Sequence, residues 1–247
     1  MLTAECCSRY NPAMRRYLWL LLASVLLAAQ TASEVEITAE PHHHFTYRNE
    51  HVRVFNVEVA PRAATLMHWH RHDYVYVTLG ASHVSNEVQG KAPVDVKLND
   101  GETHFSPAPF AHVAKNLSEQ PFRNVTIEYL QDEKLRKAVQ DGSVKWDEER
   151  GLDVLQGGTR QILFVNDGVR ATLFELQPGG IVPRRPHTQP ELFIAVNDFD
   201  IRSDLEGLRP PPRHYKSGES KWLIGGVAPS ITNLGQQPAK FVTLEFP

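Results

Sequence analysis

From Val52 to Val59 the chain reads Val-Arg-Val-Phe-Asn-Val-Glu-Val, apolar residues largely alternating with polar ones. A period of two predicts a half-buried β-strand, because successive side chains point to opposite faces of a sheet. Residues 74–79, 94–98 and 124–130 are β-branched and aromatic runs, bounded by Gly80, Asn99-Asp100-Gly101 and Pro121. The same kind of run returns at 169–176, 192–196 and 239–246. Short strands separated by turn residues predict an all-β sandwich or barrel. Helical spacing occurs in one place, from Asp132 to Gln140, where Leu135, Ala138 and Val139 recur before Asp141-Gly142. That segment is expected to be a helical linker over residues 131–150.

The runs return because the chain repeats itself with an offset of 117 residues. Val52-Arg53 matches Val169-Arg170, Pro61 matches Pro178, and Gly101-Glu102 matches Gly218-Glu219. Asn116-Leu117 matches Asn233-Leu234, Gln120-Pro121 matches Gln237-Pro238, and Val125-Thr126 matches Val242-Thr243. One register carries all of these, apart from one inserted residue near Glu191, so the chain is a tandem duplication. It divides into barrels at 34–130 and 151–247 around the linker.

Residues 1–33 read as an export signal. Arg15 and Arg16 precede the apolar run Tyr17–Ala29, and small and polar residues follow it. That run is too short for a hydrocarbon core that needs about 20 residues, so a cleaved signal peptide is expected, with an uncleaved anchor as the alternative. Met14 offers a second start that would leave out residues 1–13, and both cysteines, Cys6 and Cys7, lie in that stretch. The mature chain would then be exported to the periplasm or the extracellular space. It would need a packed core, because no disulfide would support it. A net charge of −3 gives no basic excess for nucleic acid, and no membrane association is expected once the signal is removed.

Histidine marks the first half: ten of the twelve fall between His42 and His112. In His68-Trp69-His70 the two imidazoles lie two residues apart, on one face of a strand, and can aim at one point. Asp73, then Gly80, Gly101, Pro107, Pro109, His112 and Asn116 follow. Imidazole and carboxylate together suit a single divalent transition metal, whether Fe, Mn, Ni, Cu or Zn. His72 also alternates with His68 and His70 and competes with Asp73 for the fourth place. His42, His43 and His44 are expected to form a solvated lead-in strand, with lining of the pocket mouth as the alternative. Asn116 and Asn124 begin N-x-S/T sequons.

These positions resemble the cupin superfamily, whose first motif is G-x5-H-x-H-x(3,4)-E-x6-G and whose second is G-x5-P-x-G-x2-H-x3-N. His68, His70 and Gly80 match the first motif, with Asp73 where glutamate is usual and Pro61 near the leading glycine. Gly101, Pro107, His112 and Asn116 match the second, with Pro109 for its inner glycine. Asp73 follows two intervening residues rather than three. Aspartate is one methylene shorter, about 1.5 Å of reach, so the shorter loop is read as compensating. The resemblance implies two jelly-roll barrels, a bicupin, with a metal held by His68, His70, Asp73 and His112.

At the matching places the second copy has Arg185, His187, Glu191 and Pro229. Arginine and proline offer a metal nothing, so this barrel is expected to have lost the site, with Arg185 pairing with Glu191 in the ion's place. The resemblance implies a metal-dependent enzyme acting on a small organic molecule. An oxygenase akin to the quercetin-cleaving bicupins leads, with isomerase or lyase activity behind it. The alternatives are a metal-dependent small-ligand binder and a structural duplicate with a stabilising metal. Glu128 and Tyr76 are candidates to reach the pocket, and a homodimer is one assembly the reading allows.

Overall fold

A computed structural model describes residues 34–130 and 151–246, except 167, 185, 188, 206, 207 and 228. The expected signal peptide and helical linker lie outside the described residues. Among the described residues the regular structure is β apart from one 3-10 turn, Ile37–Ala39. No helix there is long and apolar enough to cross a membrane.

The first barrel is built from two five-stranded sheets. One contains, in spatial order, β1 (Val35–Glu36), β4 (His68–His70), β9 (Phe110–Asn116), β6 (Ser82–Val88) and β7 (Val94–Leu98). The other contains β2 (His43–Arg48), β3 (Val52–Val59), β10 (Phe122–Tyr129), β5 (Tyr74–Thr78) and β8 (Thr103–Ser106). Apart from the β2–β3 and β6–β7 hairpins, neighbours in these orders are not consecutive in sequence, as a jelly roll requires.

In the second barrel, β16 (Arg213–Tyr215), β15 (Phe199–Asp204), β19 (Ser230–Asn233), β12 (Val169–Val182), β20 (Ala239–Glu245), β14 (Glu191–Ala195) and β17 (Ser220–Leu223) follow one another, with β11 (Gly151–Asn166) against β12. A separate ribbon joins β13 (Pro186–His187) to β18 (Gly226–Val227). The long β12 pairs β20 through residues 170–176 and β19 through 181–182, so it passes from one face of the barrel to the other. Glycines permit that bend: a Cβ on Gly158 would run into the Glu175 carbonyl, and one on Gly180 into that of Gly157.

The duplication is visible atom by atom. Asn116 Nδ2 donates to the carbonyls of Val59 (3.0 Å) and Gln120 (2.8 Å), and Asn233 Nδ2 donates to those of Leu176 and Gln237, both at 2.9 Å. Arg53 Nε donates to Glu128 Oε2 at 2.7 Å, and Arg170 Nε to Glu245 Oε2 at 2.6 Å. Gly101 and Gly218 turn with φ of 77° and 85°, in the left-handed region that glycine enters without a Cβ penalty.

Strand alternation distributes the cores. Val75 and Val77 of β5 and Val125, Ile127 and Tyr129 of β10 face out of the first barrel. They pack against Leu192, Ile194, Val242, Leu244 and Phe246 of the second. This shared layer explains why the strands read as continuous apolar runs: both faces are buried. The opposite parity, Tyr74, Tyr76, Asn124 and Thr126, lines the interior of the first barrel. Its apolar base is Ile37, Phe55, Val57, Val59, Val84, Leu98 and Phe122.

Candidate metal centre

Four histidines meet inside the first barrel. The antiparallel pairing of β4 and β9 sets His68 opposite His112, and their ring centroids lie 4.6 Å apart. His70 Nε2 and His112 Nε2 lie 3.2 Å apart, a spacing that two nitrogens each about 2.1 Å from one ion can keep. The fourth is His43, the first residue of β2, with its ring 4.6 Å from that of His68. One nitrogen from each of His43, His68 and His70 falls within 4.8 Å of the others.

The Nδ1 atoms explain why these rings converge through Nε2. In His43, His68 and His112 it faces an acceptor, so it carries the proton and leaves a lone pair on the other nitrogen. His68 Nδ1 donates to the Leu66 carbonyl at 2.9 Å, His112 Nδ1 to Asn86 Oδ1 at 2.6 Å, and His43 Nδ1 to Glu40 Oε2 at 2.6 Å. Glu40 is wholly buried and also accepts from His42 Nδ1 (2.9 Å), His42 N (2.9 Å) and Leu66 N (3.1 Å). A carboxylate behind a metal-bound imidazole is the usual support that fixes its tautomer and orientation. His70 Nδ1 lies 4.0 Å from Glu128 Oε1, and Glu128 is held by Arg53.

The electrostatics favour neutral imidazoles. Burial is the main cause that holds His68 down to about 4 and His112 to about 3, with neighbouring histidines adding to it, and His70 falls well below its ordinary value for the same reasons. Burial alone would raise Glu40, but the hydrogen bonds from His43, His42 and the Leu66 amide outweigh it and hold the carboxyl at about 2. Burial raises Glu128, against the opposing pull of Arg53. His68 Nε2 and His70 Nδ1 are buried without a hydrogen-bond partner. A buried lone pair with nothing to accept is costly, and a cation among neutral nitrogens removes that cost at His68. The donor set therefore fits a divalent transition metal.

Of the residues expected to be ligands, the structure brings together His68, His70 and His112. Asp73 precedes β5, and its Oδ1 accepts the Ala108 amide proton at 2.7 Å, anchoring the Pro107–Pro109 loop. Tyr74, one residue on, faces inward and stacks on His70 with ring centroids 4.0 Å apart. His72 is half-buried between β4 and β5. The expectation of a solvated strand at His42–His44 is corrected for His43, whose side chain is only 5% exposed. Its signal was Glu40, three residues upstream. Tyr76 lines the cavity, whereas Glu128 lies behind His70. Asn116 and Asn124, the two sequon asparagines, are both buried.

The cavity beside the histidines measures about 110 Å³. Its polar lining beyond the imidazoles is Thr65, Tyr74, Tyr76, Asn86, Ser106, Asn124 and Thr126. Among the described residues, no carboxylate, lysine or arginine lines it. Burial raises Tyr76 to about 12.

In the second barrel Arg185 and the His187 side chain lie outside the described residues, and so does the expected Arg185–Glu191 pairing. Glu191 stands opposite Glu245 on β20, as Tyr74 stands opposite Glu128 on β10. Glu191 is therefore the counterpart of Tyr74, and Pro190 that of Asp73: the Pro190 carbonyl accepts from Phe246 N as the Asp73 carbonyl does from Tyr129 N. No inserted residue is needed there.

No protein-family model matches the chain. No curated protein sequence matches it either. Among solved structures it is similar to oxalate decarboxylase. A tryptophan-to-tyrosine variant of the Bacillus subtilis enzyme superposes with a TM-score of 0.55 at 12% identity, covering 80% of this chain and 69% of that one. A structure of the same enzyme, studied for its Mn(II) centres, gives a TM-score of 0.55 at 12% identity, with 82% and 74% covered. A serine-to-alanine variant gives 0.56 over the same shares. At such identity the likeness speaks for the fold, in agreement with the two jelly rolls and the paired motifs: this chain has the bicupin fold.

Proposed function

We propose that the first barrel holds one divalent transition metal through His43, His68, His70 and His112 and catalyses a metal-dependent reaction of a small carboxylic acid. The observation that carries this is the cavity. At about 110 Å³ it is smaller than the roughly 150 Å³ space that accepts benzene. A space of that size suits an acid of two or three carbons better than a flavonol. The similarity to oxalate decarboxylase, with its Mn(II) centres, agrees in both fold and scale. An ion bound at these nitrogens supplies Lewis acidity and, for a redox-active metal, an electron. Asn86, Asn124 and Tyr76 offer donors to carboxylate oxygens, Tyr74 fixes the plane of His70, and the apolar base restricts water. Decarboxylation and oxygenation are the reaction types this arrangement serves.

One observation favours a second reading, capture of the same acid without turnover. No strong acid or base lines the cavity among the described residues, so proton transfer falls to a tyrosine held near 12. The test loads purified protein with Mn, Fe, Ni, Cu or Zn. It then follows carbon dioxide release and oxygen uptake with two- to four-carbon acids and with flavonols. Turnover of a small acid supports the enzyme, saturable binding without turnover supports capture, and turnover confined to flavonols rejects both.

A further inference from the structure

We propose that the second barrel is a metal-independent binding site for a two-ring aromatic molecule carrying one N–H or O–H group. Its interior cavity measures about 340 Å³, over twice the space that holds benzene. Position by position, larger apolar side chains stand where the first barrel has polar or smaller ones. Tyr76 becomes Phe193, Asn124 becomes Phe241, Val57 becomes Phe174 and Ala114 becomes Ile231, each 117 residues on. Phe174 and Phe193 both stack on Phe241, with centroids 4.9 and 4.8 Å apart. That wall suits a flat ring.

One of these exchanges strands a polar group. Thr126 Oγ1 donates to Asn124 Oδ1 at 2.8 Å in the first barrel. Its counterpart Thr243 faces Phe241 instead, and Thr243 Oγ1 is buried in the cavity wall without a partner. Thr243 is only 2% exposed, so the lost hydrogen bond costs stability unless a ligand supplies one. Leu205 and Ile224, 42% and 83% exposed, form an apolar rim.

Titration of the full metal-loaded chain with indole, followed by calorimetry and methyl NMR, tests this. The expected result is one saturable site that shifts Val182, Leu223 and Ile231, with naphthalene, which lacks a donor, binding about tenfold more weakly. Thr243→Val should weaken indole about tenfold and erase its advantage over naphthalene. Leu223→Trp should fill the cavity and abolish binding while leaving metal content intact. The proposal is overturned if indole shows no saturable binding at millimolar concentration, if its shifts fall in the first barrel, or if folded Thr243→Val binds it as tightly as the parent.

Discussion

Glu40 and His43 are joined by a 2.6 Å hydrogen bond from Nδ1 to Oε2, with the carboxylate wholly out of solvent. The pair sets the tautomer of His43 and returns negative charge to a site made otherwise of neutral rings. Supports of this kind contribute about 10- to 100-fold to metal affinity. Glu40→Gln keeps the shape and removes the charge. Its metal Kd, measured by chelator competition, should rise within that range while the circular dichroism spectrum stays unchanged.

The ligand set separates His43 from Asp73. His43→Ala should lose stoichiometric metal in elemental analysis. Asp73→Ala should retain it, because a carboxylate oxygen of Asp73 accepts the Ala108 amide proton and the four histidines complete the proposed ligand set. Loss of that charge-assisted hydrogen bond should lower unfolding stability by about 2 kcal/mol in urea. Full metal in His43→Ala together with none in Asp73→Ala would reverse the assignment.

Acid should act through the imidazoles. In the unfolded chain they titrate near 6.5, and burial holds them at about 4 in His68 and about 3 in His112. Below 6.5 the unfolded chain therefore binds protons that the folded one refuses. Stability of metal-free protein should be complete above that pH and decline as pH falls towards 4 and then 3, by about 1.4 kcal/mol per pH unit for each ring. Thermal melts across pH 3–7 measure the slope. A flat profile would mean that the rings are not buried as described.

Arg53 neutralises a fully buried carboxylate. Arg53→Ala should cost about 3 kcal/mol, the scale of a buried ion pair broken from one side. Adding Glu128→Gln should recover part of the loss, since the orphaned charge is then gone. A double-mutant cycle in denaturant gives the coupling.

Asn116 stitches three carbonyls together, those of Val59, Ala60 and Gln120, and its Oδ1 accepts from Ser118 N. Asn116→Ala should destabilise by about 3 kcal/mol, since buried acceptors lose their donor. Its sequon should carry no glycan in a glycosylating host, because the amide is committed inside the fold. Mass spectrometry decides this.

The duplication and three of the four histidines were legible because they repeat, or alternate, in simple arithmetic. Arg53 with Glu128 and Arg170 with Glu245 preserve the offset of 117 down to individual atoms. His43 was not legible. Three successive histidines look like a wet strand until Glu40 is seen buried behind one of them, and a register shift in β2 between Phe45 and Tyr47 defeats simple alternation. Tyr74 was not legible either, for a related reason. Motif spacing counts residues, whereas the barrel reads strand parity, and parity turns Tyr74 inward. In the second copy the sequence shows Arg185 and Pro229 at the motif's histidine places, but the hydrophobic lining of that barrel emerged only once Phe174, Phe193 and Phe241 stood together.

The first ten described residues are fastened to the site itself. Val35 pairs with His68, Trp69 Nε1 donates to Glu34 at 2.7 Å, Arg71 bonds Glu36 at 2.8 Å, and Ile37 sits in the core. A protease trimming from this end would therefore meet a sharp boundary. Cuts before Val35 should leave the histidine cluster whole, while a cut only eight residues later would free His43 from its tether. The opening segment thus behaves as the barrel's hasp, and ragged processing there would yield molecules that are folded yet chemically blank.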